Sequence, residues 1–156
     1  MKDRFGRQIT YLRVSVTDRC NFRCLYCSPA SFSVEEFSPR EDILSFEEVT
    51  RIVRVGSRLG ISKIRLTGGE PLVRTGIEEL IRLLRVETDV SYIALTTNGS
   101  LLHLHWDVCE LIDSINVSLD TLNPDKFRHI TGGAGEFVQV MENLWRLLER
   151  RRPPVR

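Results

Sequence analysis

The sequence predicts an α/β fold built on a parallel sheet. Two observations predict it. Four short β-rich segments alternate with amphipathic helical patterns, and that alternation sets successive strands side by side through helical crossovers. The turns that carry cysteine, paired glycine or asparagine each follow a strand, which is where parallel sheets bind ligands. Composition agrees. The 156 residues suffice for one domain with its own core. Hydrophobic residues make up 42% and charged residues 28%, as in ordinary soluble proteins. Lys+Arg is 22 against 21 for Asp+Glu, a net charge of +1, so no global field calls for a nucleic acid or an anionic membrane. No apolar run nears the roughly 20 residues of a membrane span. The start, Met1-Lys2-Asp3-Arg4-Phe5-Gly6-Arg7, has no signal core, so a cytoplasmic location is expected.

The elements follow in order. Residues 11–17 alternate and are β-rich, the pattern of a first strand. Residues 18–40 hold three cysteines, Pro29 and Pro39, and predict a long functional loop. Ser45-Phe46-Glu47-Glu48 is a capping box. Phe46, Val49, Ile52, Val53, Gly56 and Leu59 then share a helical face, and Gly60 suits the helix end. A second strand spans 63–67, followed by Gly68-Gly69-Glu70-Pro71 and a helix bearing Ile77, Leu80, Ile81 and Leu84. A third strand, 92–96, closes on Asn98-Gly99, with a short helix from Trp106 to Ile112 after it. Cys109 on that helix is expected to be a small core residue. A fourth strand covers 114–118. Asn123-Pro124 opens a short helix. A longer one carries Phe137, Val140, Met141, Leu144, Leu147 and Leu148, and 153–156 resemble the entry to a fifth strand.

Cys20, Cys24 and Cys27 lie within eight residues. So tight a trio suggests an iron–sulfur cluster, with a structural zinc or three buried thiols as alternatives. Three thiolates hold three irons of a [4Fe–4S] cube and leave the fourth open to a small molecule. In the turn after the second strand, Gly68 and Gly69 allow close backbone approach, Pro71 stiffens the exit, and Glu70 offers a carboxylate to an ammonium. Arg13, Lys63 and Arg65 stand within strands, where charge is unusual. Lys63 and Arg65 point to one side. If that side is a barrel interior they need an anion such as a triphosphate; otherwise they face solvent or helix carboxylates.

The cysteine spacing, with Tyr26 before the last cysteine, resembles the signature of radical S-adenosylmethionine (SAM) enzymes, and the Gly-Gly-Glu-Pro turn resembles their element for the SAM amino group. Residues 3–7, 12–24, 63–74, 95–99 and 115–120 together are similar to the GTP 3′,8-cyclase family. The resemblance implies a parallel-stranded partial (β/α) barrel of the radical SAM type, cut off after about four βα units. Residues 1–156 would be one radical SAM core domain, incomplete at its C-terminal end. It implies the first step of molybdenum cofactor biosynthesis: reductive cleavage of SAM to a 5′-deoxyadenosyl radical, removal of the ribose 3′ hydrogen of GTP, and attack on guanine C8. By motif position Cys20, Cys24 and Cys27 would bind the cluster; Tyr26, Gly68, Gly69, Glu70, Pro71 and Ser118 would form the SAM site; Arg13, Lys63, Arg65 and Thr96 would contact GTP. An electron donor such as flavodoxin or ferredoxin is implied.

Members of that family are about twice this length, and their second half adds a second cluster that binds guanine. This chain is therefore expected to bind one cluster without cyclising GTP at a useful rate, and its open sheet edge predicts self-association. The stretch Glu110-Leu111-Ile112-Asp113 departs from the family pattern, as do Gly133 and Arg156. Thr131-Gly132-Gly133-Ala134-Gly135 follows a helix and so lacks the context of a phosphate loop; His103-x-His105 and Arg150-Arg151-Arg152 are assigned to solvated helix ends. Two alternatives stand beside the cyclase: another radical SAM enzyme, such as a peptide-modifying or activating one, and a non-catalytic cluster-binding fragment.

Overall fold

In a computed structural model, residues 2–27 and 37–150 are described. Four strands, β1 (Tyr11–Ser15), β2 (Lys63–Thr67), β3 (Tyr92–Thr97) and β4 (Ser114–Val117), form one parallel sheet in the order β1-β2-β3-β4. The helices between and after them are α1 (Phe46–Arg58), α2 (Ile77–Glu87), α3 (Trp106–Leu111), α4 (Pro124–Ile130) and α5 (Phe137–Arg150). The strand order never reverses, so the sheet has no switch point and is wound in one direction, as in a (β/α) barrel. Among the described residues the sheet is not closed, and β1 and β4 are its edges.

Local signals act as the sequence predicts. Ser45 caps α1: its Oγ accepts the Glu48 N–H at 3.2 Å while the Glu48 carboxylate accepts the Ser45 N–H at 2.7 Å. Gly60 follows the last helical turn at φ +100° and donates to the Ser57 carbonyl. Asn123 caps α4 through the Lys126 N–H, with Pro124 in the first turn. Strand ends shift slightly. β1 stops at Ser15, yet the Val16 N–H still bonds the Thr67 carbonyl at 2.9 Å; β3 gains Thr97; β4 stops one residue early, at Val117. The expected fifth-strand entry at 153–156 lies outside the described residues, as do Pro29, Arg151 and Arg152.

The two faces of the sheet differ. Ile64, Leu66, Ile93, Leu95 and Ile115 are fully buried in one cluster with Val49 and Val53 of α1, Leu80, Ile81 and Leu84 of α2, Val108 of α3 and Leu147 of α5. The alternate strand positions, Arg13, Lys63, Arg65, Tyr92, Thr96 and Asn116, therefore occupy the face these helices leave uncovered. That settles which way Lys63 and Arg65 point. On that face Arg13 and Lys63 are exposed and Arg65, Tyr92, Thr96 and Asn116 half-buried, while the small residues Ala94 and Ser114 are buried among them.

This division has a measurable consequence. Leu66→Ala is expected to lower the unfolding free energy by roughly 3 kcal/mol, and Ser45→Ala by about 1 kcal/mol. Arg13→Ala, one position from the half-buried Val14, is expected to stay within about 0.5 kcal/mol. Urea unfolding with an unchanged slope checks all three.

Candidate functional site

The site is built on the rim at the carboxyl ends of the strands. β1 runs into the cysteine loop, β2 into Gly68-Gly69-Glu70-Pro71, β3 into Asn98-Gly99-Ser100, and β4 into Ser118-Leu119-Asp120. The glycine turn packs on the first residues of the cysteine loop. The Gly69 N–H donates to the Thr17 carbonyl at 2.7 Å and the Glu70 N–H to the Arg19 carbonyl at 2.8 Å. A Cβ on Gly69 would collide with the Arg19 carbonyl oxygen, and one on Gly68 with that of Thr17. The close approach these glycines permit is thus, in the first place, backbone to backbone.

Glu70 turns inward and is 1% exposed. Its Oε1 accepts from the Leu72 N–H at 3.0 Å and the Thr97 hydroxyl at 2.8 Å, and its Oε2 from the Asn98 N–H at 2.7 Å. Burial pushes its carboxyl above the ordinary value, against the pull of these donors. The carboxylate thereby ties the end of β2 to the end of β3. The Asn98 side chain then donates to the Asn21 oxygen at 2.9 Å and lies 3.9 Å from Cys20 Sγ. Asn21 in turn donates to the Ser100 hydroxyl at 2.8 Å.

The far side of the cysteine loop is held by the α4–α5 connection. Arg23 and Leu25 donate their N–H groups to the carbonyls of Thr131 and Ile130 at 3.2 and 3.0 Å. Gly132, at φ +63°, leaves no room for a side chain beside the Arg23 carbonyl. Phe22 meets Phe127 edge-on at 5.9 Å. The glycine-rich stretch set aside as a phosphate loop is therefore a cradle for the loop backbone. Tyr26, 65% exposed, donates to Asp120 Oδ2 at 2.7 Å, and that bond raises its phenol pKa. Ser118 is exposed on the same rim.

Cys20 and Cys27 are exposed and Cys24 half-buried. Burial pushes the Cys20 and Cys24 thiols up, with repulsion from Glu70 and Cys27 adding to it at Cys20 and from Cys27 and Cys20 at Cys24. Among the described residues they are not already gathered as a coordination sphere. In kind they fit one: three soft donors on one short loop whose thiolates lack a cation, which a bound metal would supply as it displaces the protons. Cys109 is buried in the core as expected.

On the uncovered face Arg13 and Arg65 are register partners, with Lys63 two residues before Arg65. Among the described residues none of the three forms an ion pair. Arg65 Nη1 donates to the Thr96 hydroxyl at 3.2 Å, but its Nε is buried without a partner. Like charges opposite one another on a sheet are unfavourable.

Sequence reasoning missed Asn143 of α5. It is fully buried and donates to the carbonyls of Gly99 and Ser100 at 2.9 and 3.0 Å, supporting the turn that holds Asn98. The available signal was a polar residue interrupting the apolar stripe Val140, Leu144, Leu147.

Glu70→Ala leaves the N–H groups of Leu72 and Asn98 without acceptors and is expected to cost about 3 kcal/mol, against about 1 kcal/mol for Glu70→Gln. Urea denaturation of the two variants checks the difference.

Comparison with known proteins agrees with this geometry. Residues 14–155 match the radical SAM superfamily. A GTP 3′,8-cyclase of Petrotoga mobilis is 46% identical over 158 residues, covering 100% of this chain and 48% of the relative. One of Rhizobium leguminosarum bv. trifolii is 51% identical over 150 residues, covering 92% and 41%. The chain thus spans about half the length of the curated relatives it matches. Among solved structures, the FeFe-hydrogenase maturase HydG from Carboxydothermus hydrogenoformans superposes with a TM-score of 0.73 at 20% identity, over 93% of this chain and 34% of that one. Native anSMEcpe with bound AdoMet gives 0.66 at 21%, over 90% and 41%. At these identities the two structures speak for the fold alone. A family match over nearly the whole chain, on a sheet wound as in those structures, makes this chain a member of the radical SAM superfamily.

Proposed function

We propose that this chain forms the radical-generating side, and one wall of the substrate site, of a GTP 3′,8-cyclase acting in molybdenum cofactor biosynthesis. The observation that carries the substrate is the Arg13–Arg65 register pair on the uncovered face, with the partnerless Arg65 Nε between strands. Two cations side by side, with Lys63 close by, match a polyanion such as a triphosphate. Arg65 and Gly69 are four residues apart, about 13 Å of strand and turn at about 3.3 Å per residue. That is a span a nucleoside triphosphate can bridge, with phosphates on the sheet and ribose toward the rim. Thr96 orients Arg65 through its hydroxyl.

At the rim, Cys20, Cys24 and Cys27 would hold a [4Fe–4S] cluster, and Tyr26, Gly68, Gly69, Glu70, Pro71 and Ser118 would shape the SAM site. A cluster bound there supplies the electron for reductive cleavage of SAM to the radical that starts cyclisation. Glu70 acts through the backbone it holds: its three hydrogen bonds fix the glycine turn against the loop and aim Asn98 at Cys20. No helix among the described residues is long and apolar enough to cross a membrane. A cytoplasmic setting, a flavodoxin- or ferredoxin-like donor, and self-association through the open β4 edge complete the proposal. The identity to named cyclases favours GTP over a peptide substrate.

Anaerobic reconstitution tests the assignment. It predicts about four irons per chain and 5′-deoxyadenosine formed from SAM under reducing conditions, without useful GTP cyclisation by the 156-residue polypeptide. Zinc in place of iron overturns it. Arg65→Met is expected to weaken GTP binding roughly tenfold to a hundredfold; an unchanged affinity moves the substrate off this face and favours another radical SAM reaction.

A further inference from the structure

Arg74 ends the turn that follows Glu70. Its Nη1 donates to the Val16 carbonyl at 2.6 Å and its Nη2 to the Leu44 carbonyl at 2.6 Å. Val16 lies between the end of β1 and the cysteine loop, and Leu44 is the residue before the Ser45 cap of α1. One guanidinium therefore bonds both ends of the excursion that carries Cys20, Cys24 and Cys27. Its position is fixed in turn. Its Cζ lies 4.3 Å from the centroid of the Phe46 ring, which packs against the core and borders Gly76, where an added Cβ would lie 3.4 Å from Phe46 Cε2. The backbone N–H of Arg74 bonds the Pro71 carbonyl at 3.1 Å, closing the turn that starts at Glu70.

The chemistry of the contact is specific. Among the described residues Arg74 has no carboxylate within ion-pair distance. Each terminal nitrogen donates to a main-chain carbonyl, and the fork of a guanidinium reaches two such acceptors at once where an ammonium serves as a point charge. The segment from Gly68 to Arg74 thus meets the loop base twice: Gly69 and Glu70 bond Thr17 and Arg19, and five residues after Gly69 the guanidinium bonds the two flanks.

We propose that Arg74 is the positioning residue of the cysteine loop, a clamp that holds Val16 and Leu44 together so that the base of the loop stays seated on the glycine turn. The consequence for a cluster rests on the assignment of the cysteines above; the clamp itself does not.

Hydrogen exchange on the cluster-free full chain tests the clamp. In Arg74→Met the amides of Gly69 and Glu70 are expected to exchange roughly tenfold to a hundredfold faster, since charge-assisted hydrogen bonds are lost locally. The strand amides of Leu66 and Leu95 are expected to keep their rates. Arg74→Lys, with a single point donor, is expected to fall between. Equal acceleration at all four amides, or none, overturns the clamp. Should Arg74→Met fail to fold, Phe46→Leu removes the ring beneath the guanidinium and is expected to accelerate the same two amides. After reconstitution, Arg74→Met is expected to hold less than half the iron of the unaltered chain, with Cys20→Ala as the reference for loss of a ligand. Local exchange with full iron content overturns the link to the cluster. Full iron in Cys20→Ala overturns the cluster assignment and leaves the clamp to the exchange result.

Discussion

The rim depends on one buried carboxylate. Removing a charge from water costs several kcal/mol, and the cost is offset only where good donors surround it. Glu70 has three, taken from its own turn and from the end of β3. Without it the Asn98 N–H is unpaired inside the protein and the Asn98 side chain loses its aim at Asn21 and Cys20. The paired glycines serve the same end, since only a residue without Cβ lets the turn sit on the carbonyls of Thr17 and Arg19. The motif is thus a joint. It converts three strand ends into one surface and sets the cysteine loop on that surface.

The strands that make the joint also separate stability from function. In β2 the order Lys63, Ile64, Arg65, Leu66 alternates face by face. Ile64 and Leu66 are fully buried under the helices, while Lys63 is exposed and Arg65 half-buried on the uncovered side. A one-residue slip in register would exchange these roles, so the packing of the apolar face fixes the placement of the cations. Here the core is what holds the charges in place.

Much of this was legible in the sequence because its causes are local. Capping at Ser45 and Asn123 and the alternation of the four strands depend on residues a few positions apart. Period-two alternation also shows that Lys63 and Arg65 agree in direction, but not which direction, because the answer lies in where the helices pack. The inward turn of Glu70 was hidden for a similar reason: a carboxylate after two glycines reads alike whether it meets a ligand or a distant backbone amide. The cradle at Thr131 and Gly132 and the Tyr26–Asp120 bond join segments about a hundred residues apart, and no spacing rule reaches that far. Asn143 left a trace, as a polar residue on an apolar stripe, but its partners at Gly99 and Ser100 are again a matter of tertiary packing.

The uncovered face carries an electrostatic cost. Arg13 and Arg65 face one another across β1 and β2, and like charges so placed repel, the less so because Arg13 and Lys63 are exposed to solvent. Arg65 relieves part of this by reaching Thr96 and the face of Tyr11, whose ring centroid lies 6.0 Å from its Cζ, and Lys63 lies 5.9 Å from the ring of Tyr92. None of these contacts neutralises charge. A bound polyanion would, and because it binds only the folded chain it would stabilise that chain in proportion to its occupancy. The cations stand on β1 and β2, and these are the strands whose ends become the cysteine loop and the glycine turn, so the packing that sets the register of the pair places the charged face and the rim together.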